Sequence, residues 1–424
     1  MSLGLTLKLG VLSLTNVGLM FLFQIGVLAY FGATLESDAF FASMTVPQLV
    51  QAIITGSLVS VLVPLLSGEA EQKSRKDAWT FFWAIGALFF SVAVVLGIFA
   101  SWWVPWSVPG FEPGGWALAV ELTRIQLVGV VFAGLNAVQW ASFHSRHEFL
   151  RAELSQLAAN IGAVIILVVS VPRFGVLAAA WANLARMAIQ TVLLLPGMGW
   201  PSPPNRASET LIEAWKRIRP LLAGNAYYKT EPLVDRALLS IAASGNLSLY
   251  YFAHQIYGAA THVINRAVAS PLVPRLSILY KTGDVRSVSR LVYQRMVFVA
   301  IFCGVVLTTL VWWGDELLPW LVGYGKFGDA NIAKLWWILI LLGGVLVGGV
   351  LGMLASTAFY SMGDTTTPTT MSMITYSVYI PIKILSFVEY GVTGLAIATS
   401  IYYLSNLALH FVLLNRRWSN ANTT

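Results

Sequence analysis

The residues best placed to do chemistry are charges embedded in apolar runs. Arg124, Arg186, Lys229, Arg236 and Arg266 lie deep in such runs, as do Glu121, Glu231 and Asp235. Five bases facing hydrocarbon would cost about 12 kcal/mol on insertion scales, comparable to the stability of a whole domain. They are therefore expected to face protein or water. Asn225, Lys229 and Arg236 fall at i, i+4 and i+11, one helical stripe. Glu231 and Asp235 form a second stripe roughly opposite Lys229, and Pro232 between them frees a backbone carbonyl. Gln255, His262 and Arg266 repeat the pattern, flanked by His254 and Asn265, and Gln48, Gln51 and Thr55 make a milder polar stripe near the N-terminus. Histidine titrates near neutral pH, so His254 and His262 offer either a proton relay or hydrogen-bonding wall groups. Glu121 and Arg124, three residues apart, are neighbours on one helical face. They suit either a local ion pair or an ion- or substrate-binding role. Arg295, Lys334 and Lys383 lie nearer the ends of their runs and are expected to reach out to the interface. Five deep bases against three deep acids would leave a cavity cationic, fit for an anionic group such as a phosphate or diphosphate.

The elements that must position these groups are membrane helices. Of 424 residues, 57% are apolar and 11% charged, and the mean hydropathy is +0.73. A soluble domain carries about 25% charged residues, so soluble and disordered classes are excluded. The net charge of +7 reads as loop charge on the positive side of a membrane, not as a nucleic-acid surface. The single cysteine, Cys303, permits neither a disulfide framework nor a thiol metal site. About twelve runs are long enough to span: 8–32, 39–66, 78–104, 117–143, 150–171, 175–197, 218–243, 247–274, 288–314, 330–360, 366–387 and 391–414. Pro47, Pro232 and Pro381 interrupt three of them. The first run has no small-residue cleavage signal and reads as a helix, not a removed leader. With the N-terminus inside, sixteen loop bases, among them Lys8, Lys73, Arg75, Lys76, Arg146, Arg151, Arg286 and Arg417, fall inside and only Arg173 and Lys326 outside. Both termini are then expected in the cytoplasm. The pairs Trp102–Trp103, Trp312–Trp313 and Trp336–Trp337 suit the interfacial belts.

The two halves resemble each other. Ala141-Ser142-Phe143-His144-Ser145 recurs as Thr357-Ala358-Phe359-Tyr360-Ser361, Gly175-Val176 as Gly391-Val392 and Ala182 as Ala398, all at an offset of 216 residues. Val63-Pro64-Leu65-Leu66-Ser67 recurs as Val273-Pro274-Arg275-Leu276-Ser277, and Phe40-Phe41 as Tyr250-Tyr251, both at 210. An even number of spans per repeat places the repeat axis along the membrane normal. The expected architecture is an all-α polytopic membrane protein of two six-helix lobes around a central cavity. The lobes are 1–200 and 217–424, with a cytoplasmic linker at 201–216. Such a plan suits a transporter; a duplicated scaffold without transport is the alternative.

Other chemistries leave no trace. There is no P-loop pattern, HExxH, nucleophile elbow or ligand cluster, so no cofactor, no metal and no catalytic residue is expected. Gly344, Gly348 and Gly352 are spaced by four inside a span, which is helix-packing chemistry. An enzyme that works on membrane substrates would need more extramembrane surface.

Several runs carry a family resemblance. Phe31-Gly32-Ala33, Ser37-Asp38-Ala39-Phe40-Phe41, Pro47, Gly56 and Val63-Pro64 resemble the opening of MurJ/MviN proteins. These are lipid II flippases of the multidrug/oligosaccharidyl-lipid/polysaccharide exporter superfamily. Gly245, Tyr324-Gly325-Lys326-Phe327, Asp364, Thr367-Pro368 and Gly391-Val392-Thr393-Gly394-Leu395 extend the resemblance over nearly the whole chain. It implies two lobes, alternating access and transfer of an undecaprenyl-diphosphate-linked glycan across a bacterial inner membrane, with membrane lipids and a glycan polymerase or glycosyltransferase as partners. The family's functional arginines correspond here to Val17, Phe23, Gln51 and Gln255, and its acid before the eighth-helix arginine to His254. The family usually has two further helices that hold the lipid tail. Both departures leave room for a different polyprenyl-linked glycan. On this basis Lys229, Arg236 and Arg266 would hold the diphosphate, and Gln51, Gln255 and His254 would contact sugar or phosphate. Glu231, Asp235, Glu121 and Arg124 would couple or gate. A cation-coupled small-molecule exporter of the multidrug type is the runner-up, though it would favour an acidic cavity.

Overall fold

The computed structural model describes residues 3–67, 71–205 and 209–423, and its elements there are helices. They fall into two compact units, Met1–Gly245 and Asn246–Thr424. The first unit thus keeps the residues after the expected linker, up to Gly245, that the sequence division assigns to the second lobe.

In the first unit, α1 (Leu3–Phe31), α2 (Leu35–Ser43) and α3 (Thr45–Leu66) precede α4 (Glu71–Ile98), the short α5 (Ala100–Ser107) and α6 (Pro113–Ser145). The 46-residue α7 (Phe149–Leu194) is followed by α8 (Glu209–Ala226) and α9 (Glu231–Ile241). α6 is the central post: α2, α3, α4, α5 and α7 all pack on it, while α1 lies on α7 and α8 on α3. Leu58, Leu62, Phe81, Phe89, Leu127 and Val130 fill the space where α3, α4 and α6 meet. The second unit holds α10 (Asn246–Ile264), α11 (Ser270–Lys281), α12 (Val285–Val322), α13 (Asp329–Leu341), α14 (Gly343–Ser361) and α15 (Thr366–Thr423). Its main seam is α14 against α15. A Cβ on Gly344 would stand 2.6 Å from Ser400, and one on Gly348 2.5 Å from the Tyr403 backbone. These two glycines therefore do the packing their spacing implied, whereas Gly352 faces open space.

Seven stretches among the described residues are long and apolar enough to cross a membrane. Two of them, Phe149–Met198 and Thr366–Ser419, hold a sharp internal kink, at Gly175 and Gly391. Split there, they give the fifth, sixth, eleventh and twelfth expected segments. The segments that fall short are the broken ones: α2–α3, α8–α9 and α10–α11. The second and seventh break just before a proline rather than at it. Pro47 and Pro232 each sit in the first turn of the helix that follows, where a missing N–H costs nothing. Pro381 causes no such break, and α15 runs through it to Gly391.

The duplication reappears in the backbone. Gly175 (φ 58°, ψ −147°) and Gly391 (φ 59°, ψ −140°) take the same left-handed conformation 216 residues apart. The turns after α6 and α14 match equally well. Amides of Arg146 and Glu148 donate to the Phe143 carbonyl and that of His147 to His144; Met362 and Asp364 donate to Phe359 and Gly363 to Tyr360. His147 (φ 61°) occupies the left-handed position that Gly363 (φ 77°) holds in the second copy. Holding a non-glycine residue there costs on the order of 1 kcal/mol or more. His147→Gly should therefore raise the thermal unfolding temperature of the detergent-solubilised chain, and Gly363→His should lower it.

In the second turn Asp364 accepts from the Thr367 amide (3.0 Å) and hydroxyl (2.8 Å) and pairs with Arg417. Partial burial alone would raise this carboxyl, but the Thr367 bonds and the Arg417 guanidinium outweigh it and hold it below the usual carboxylate range. A group depressed in the folded state adds stability above its unfolded pKa, about 3.9. That stability disappears as pH falls through the folded value. Unfolding of Asp364→Asn followed against pH should lack this acid-side loss, while the wild type keeps it.

Candidate functional site

The seventh segment is bent into a platform against the second. α8 ends at Ala226, a 3₁₀ turn covers Tyr228–Thr230, and α9 starts at Glu231. Asn225, Lys229 and Arg236 are therefore not on one continuous helical stripe, since Pro232 favours a fresh helix start over an unbroken one. The break still delivers two of the bases to one surface. Lys229 donates to the Ala52 carbonyl of α3 at 2.5 Å. Arg236 donates to the Thr45 hydroxyl, and to Gln48 Oε1 at 3.4 Å. Seven residues separate the two bases and seven separate Thr45 from Ala52, in opposite chain direction. Two antiparallel segments thus meet at matching intervals of two turns. Arg236 is buried and Lys229 and Gln48 half-buried, as is Gln51 beside them. Glu231 and Asp235 are buried in α9.

The first unit also holds a pair that the sequence offered only as part of a motif. Asp38, buried in α2, accepts the Gly245 amide at 2.6 Å. Gly245 has φ +91°, and a Cβ there would stand 2.3 Å from the Ala33 carbonyl oxygen. Gly245→Ala should destabilise the chain by about 1–3 kcal/mol, read as a lower unfolding temperature.

Other predicted residues take different places. Arg124 turns from Glu121 to the end of α4, donating to the Gly97 carbonyl (3.2 Å) and Ser101 hydroxyl (3.1 Å). Both Glu121 and Arg124 are exposed. A helix C-terminus offers bare carbonyls to a cation, which explains the choice. Arg186 bonds Asn183 Oδ1 at 3.1 and 3.3 Å. Lys383 does not reach outward: it is only 2% exposed, with its ammonium 5.5 Å from the Tyr402 ring centre. An aromatic face offers a cation an attractive alternative to the interface. Arg295 and Lys334 are exposed, as expected.

In the second unit, Gln255 donates to the Tyr251 hydroxyl at 2.5 Å, and the His254 ring lies 6.4 Å from Tyr403. His262 is exposed on the same helix. The Arg266 backbone belongs to a π-helical turn, Asn265–Ala269; its side chain lies outside the described residues, as do those of Thr55 and Asn225. Among the described residues no group of three or more His, Cys, Asp or Glu is gathered to hold a metal.

These features define an all-helical, multi-pass membrane protein with the fold of the multidrug and lipid-flippase transporters. The structure is similar to a lipid II flippase MurJ in an inward closed conformation (TM-score 0.83, 16% identity, 96% of this chain and 87% of that one). It is also similar to an inward-facing multidrug resistance MATE family transporter (TM-score 0.79, 16% identity, 98% and 99%). In sequence, a probable lipid II flippase MurJ of Buchnera aphidicola subsp. Acyrthosiphon pisum is 22% identical over 422 residues, covering 94% of this chain and 80% of the relative. One of Rhizobium tropici is 24% identical over 418 residues, covering 92% and 77%. The profile of the family described as lipid II flippase MurJ matches residues 27–423, and the chain belongs to that family. It is accordingly a bacterial inner-membrane protein of a transporter family, not of an enzyme family.

Proposed function

We propose that the chain is a flippase that moves a polyprenyl-diphosphate-linked glycan of the lipid II class across the cytoplasmic membrane by alternating access. Membership of the MurJ family supports the cargo class. The observation that carries the reading in this chain is the pair Lys229 and Arg236 seated on the polar face of α3. Lys229 rests on a carbonyl, a neutral oxygen that leaves its charge uncancelled, and Arg236 bonds the Thr45 hydroxyl beside it. A diphosphate offers stronger acceptors than either. Lys229 meets the head group first, because it is the more exposed. Arg236 then exchanges Thr45 and Gln48 for phosphate oxygens. Gln51 adds a contact to sugar or phosphate in the first unit, and Gln255, His254 and Arg266 are the cargo contacts proposed for the second. Glu231 and Asp235 act in coupling or gating, as do Glu121 and Arg124 on the exposed face of α6. Both termini lie in the cytoplasm, which puts the basic loops on the side where the cargo is made and where a glycosyltransferase or polymerase would meet it.

The test is a leaflet-accessibility assay on the chain reconstituted in vesicles, with a fluorescent polyprenyl-diphosphate glycan. Charge-assisted hydrogen bonds contribute about 1.5–3 kcal/mol each, so Lys229→Ala and Arg236→Ala should slow transfer by roughly tenfold or more at equal protein level. Arg236→Lys should retain part of the rate. Unchanged transfer in both alanine variants would remove these residues from cargo binding. No transfer of any such glycan by the wild type would sink the reading itself.

A further inference from the structure

The first unit contains a buried acid that plays no part in the reading above. Glu153 lies one turn into α7 and is 6% exposed. Its Oε2 accepts from Asn16 Nδ2 of α1 at 3.2 Å, and Asn16 Oδ1 accepts from Asn160 Nδ2 at 3.1 Å. Asn16 and Asn160 are both 2% exposed. All three lie in stretches apolar enough to cross a membrane. The chain Asn160→Asn16→Glu153 runs in one direction, with every donor aimed towards the carboxylate. It ends at Asn160 Oδ1, a buried acceptor with no hydrogen-bond partner.

We propose that Glu153 is an intramembrane proton-binding site, and that Asn16 and Asn160 reverse their hydrogen-bond direction when it loads. The carboxylate takes one proton from the aqueous phase; an O–H bond forms and one negative charge disappears. Asn16 then turns its amide so that Oδ1 accepts from the new O–H and Nδ2 points at Asn160. Asn160 turns likewise, and its formerly unmatched oxygen accepts from Asn16. An amide fits either way round because its oxygen and nitrogen ends have nearly the same shape. The unmatched end of the chain changes from an acceptor to a donor, so neither arrangement carries more unmatched groups than the other. The backbone carbonyls of Glu153 and Asn16, now touched at 3.3 and 3.4 Å, lie within helices and accept from their own turns in both arrangements. Proton occupancy thereby decides which arrangement holds.

The charged groups on the elements packed here are exposed or have contacts of their own. Lys8 on α1 is exposed. Arg146 bonds the Gly197 carbonyl and pairs with Glu148, which also faces Arg151. The His144 ring packs tilted against Trp140 and edge-on against Phe149, and that of His147 lies tilted against Phe149. Of the two acids on α2, Asp38 is engaged by Gly245, and Glu36 is exposed.

Infrared difference spectroscopy on the full chain in lipid vesicles tests this without any cargo, so its outcome is separate from that of the flippase reading. As pH is lowered, a carboxylic-acid carbonyl band should appear that shifts when glutamate is ¹³C-labelled. It should be lost in Glu153→Gln and kept in Glu148→Gln. In Asn16→Ala the band should move to higher frequency, because the O–H loses its acceptor. Absence of such a band in the wild type at every pH overturns the proposal even if no variant folds. So does a band that persists in Glu153→Gln, or one that stays unmoved in Asn16→Ala. Removal of the band by sodium at fixed pH would also overturn it, by making the ligand a metal cation.

Discussion

Inside a bilayer no water takes up a stray charge or a freed backbone group, and the first unit meets this constraint with neutral oxygen. Lys229 rests on the Ala52 carbonyl, Arg236 on the Thr45 hydroxyl and Arg124 on the Gly97 carbonyl. Of its buried acids, Asp38 accepts from the Gly245 amide and Glu153 from Asn16. Neutral partners satisfy hydrogen bonds without cancelling charge, whereas a carboxylate would have held each base in a closed pair. The charge of Lys229 therefore stays available to a ligand, and the helix that brings it to its oxygen is broken beside it. Helix breaks and charge placement are one design, not two.

That link explains what could be read from the amino-acid sequence. Helix class, the segment order, the repeat and the family were all legible, because hydropathy and matched runs such as Ala141–Ser145 and Thr357–Ser361 are properties of chain composition. Lys229, Arg236 and Gln48 were legible as groups that must face protein or water because a polar side chain in an apolar run is conspicuous. The platform they form was not, because helical spacing assumes an unbroken helix, and the turn at Tyr228–Thr230 removes that premise.

Other misses have the same origin in partners. Lys383 looked like a residue near a span end, but its place is set by Tyr402, a neighbour 19 positions on. Glu121 and Arg124 looked like a pair at helical spacing, yet bare carbonyls at the end of α4 outcompeted the carboxylate. Glu153 drew no attention because it stands among the loop charges at the start of α7; only its contacts with Asn16 and Asn160, 137 residues away and seven residues on, set it apart.

The connecting strand between the expected lobes has a different character from the one its Pro- and Ser-rich composition suggests. Trp83 donates to the Ser202 carbonyl, the Asn205 amide to Thr80, and Thr210 to Asp77, so three successive rungs of α4 hold it. At these residues it is laced down like a strap, and the helix that follows packs on α3 and α4. Slack in the polypeptide is thus withdrawn from the place where composition advertises it, and the leash free for large rearrangement is correspondingly short.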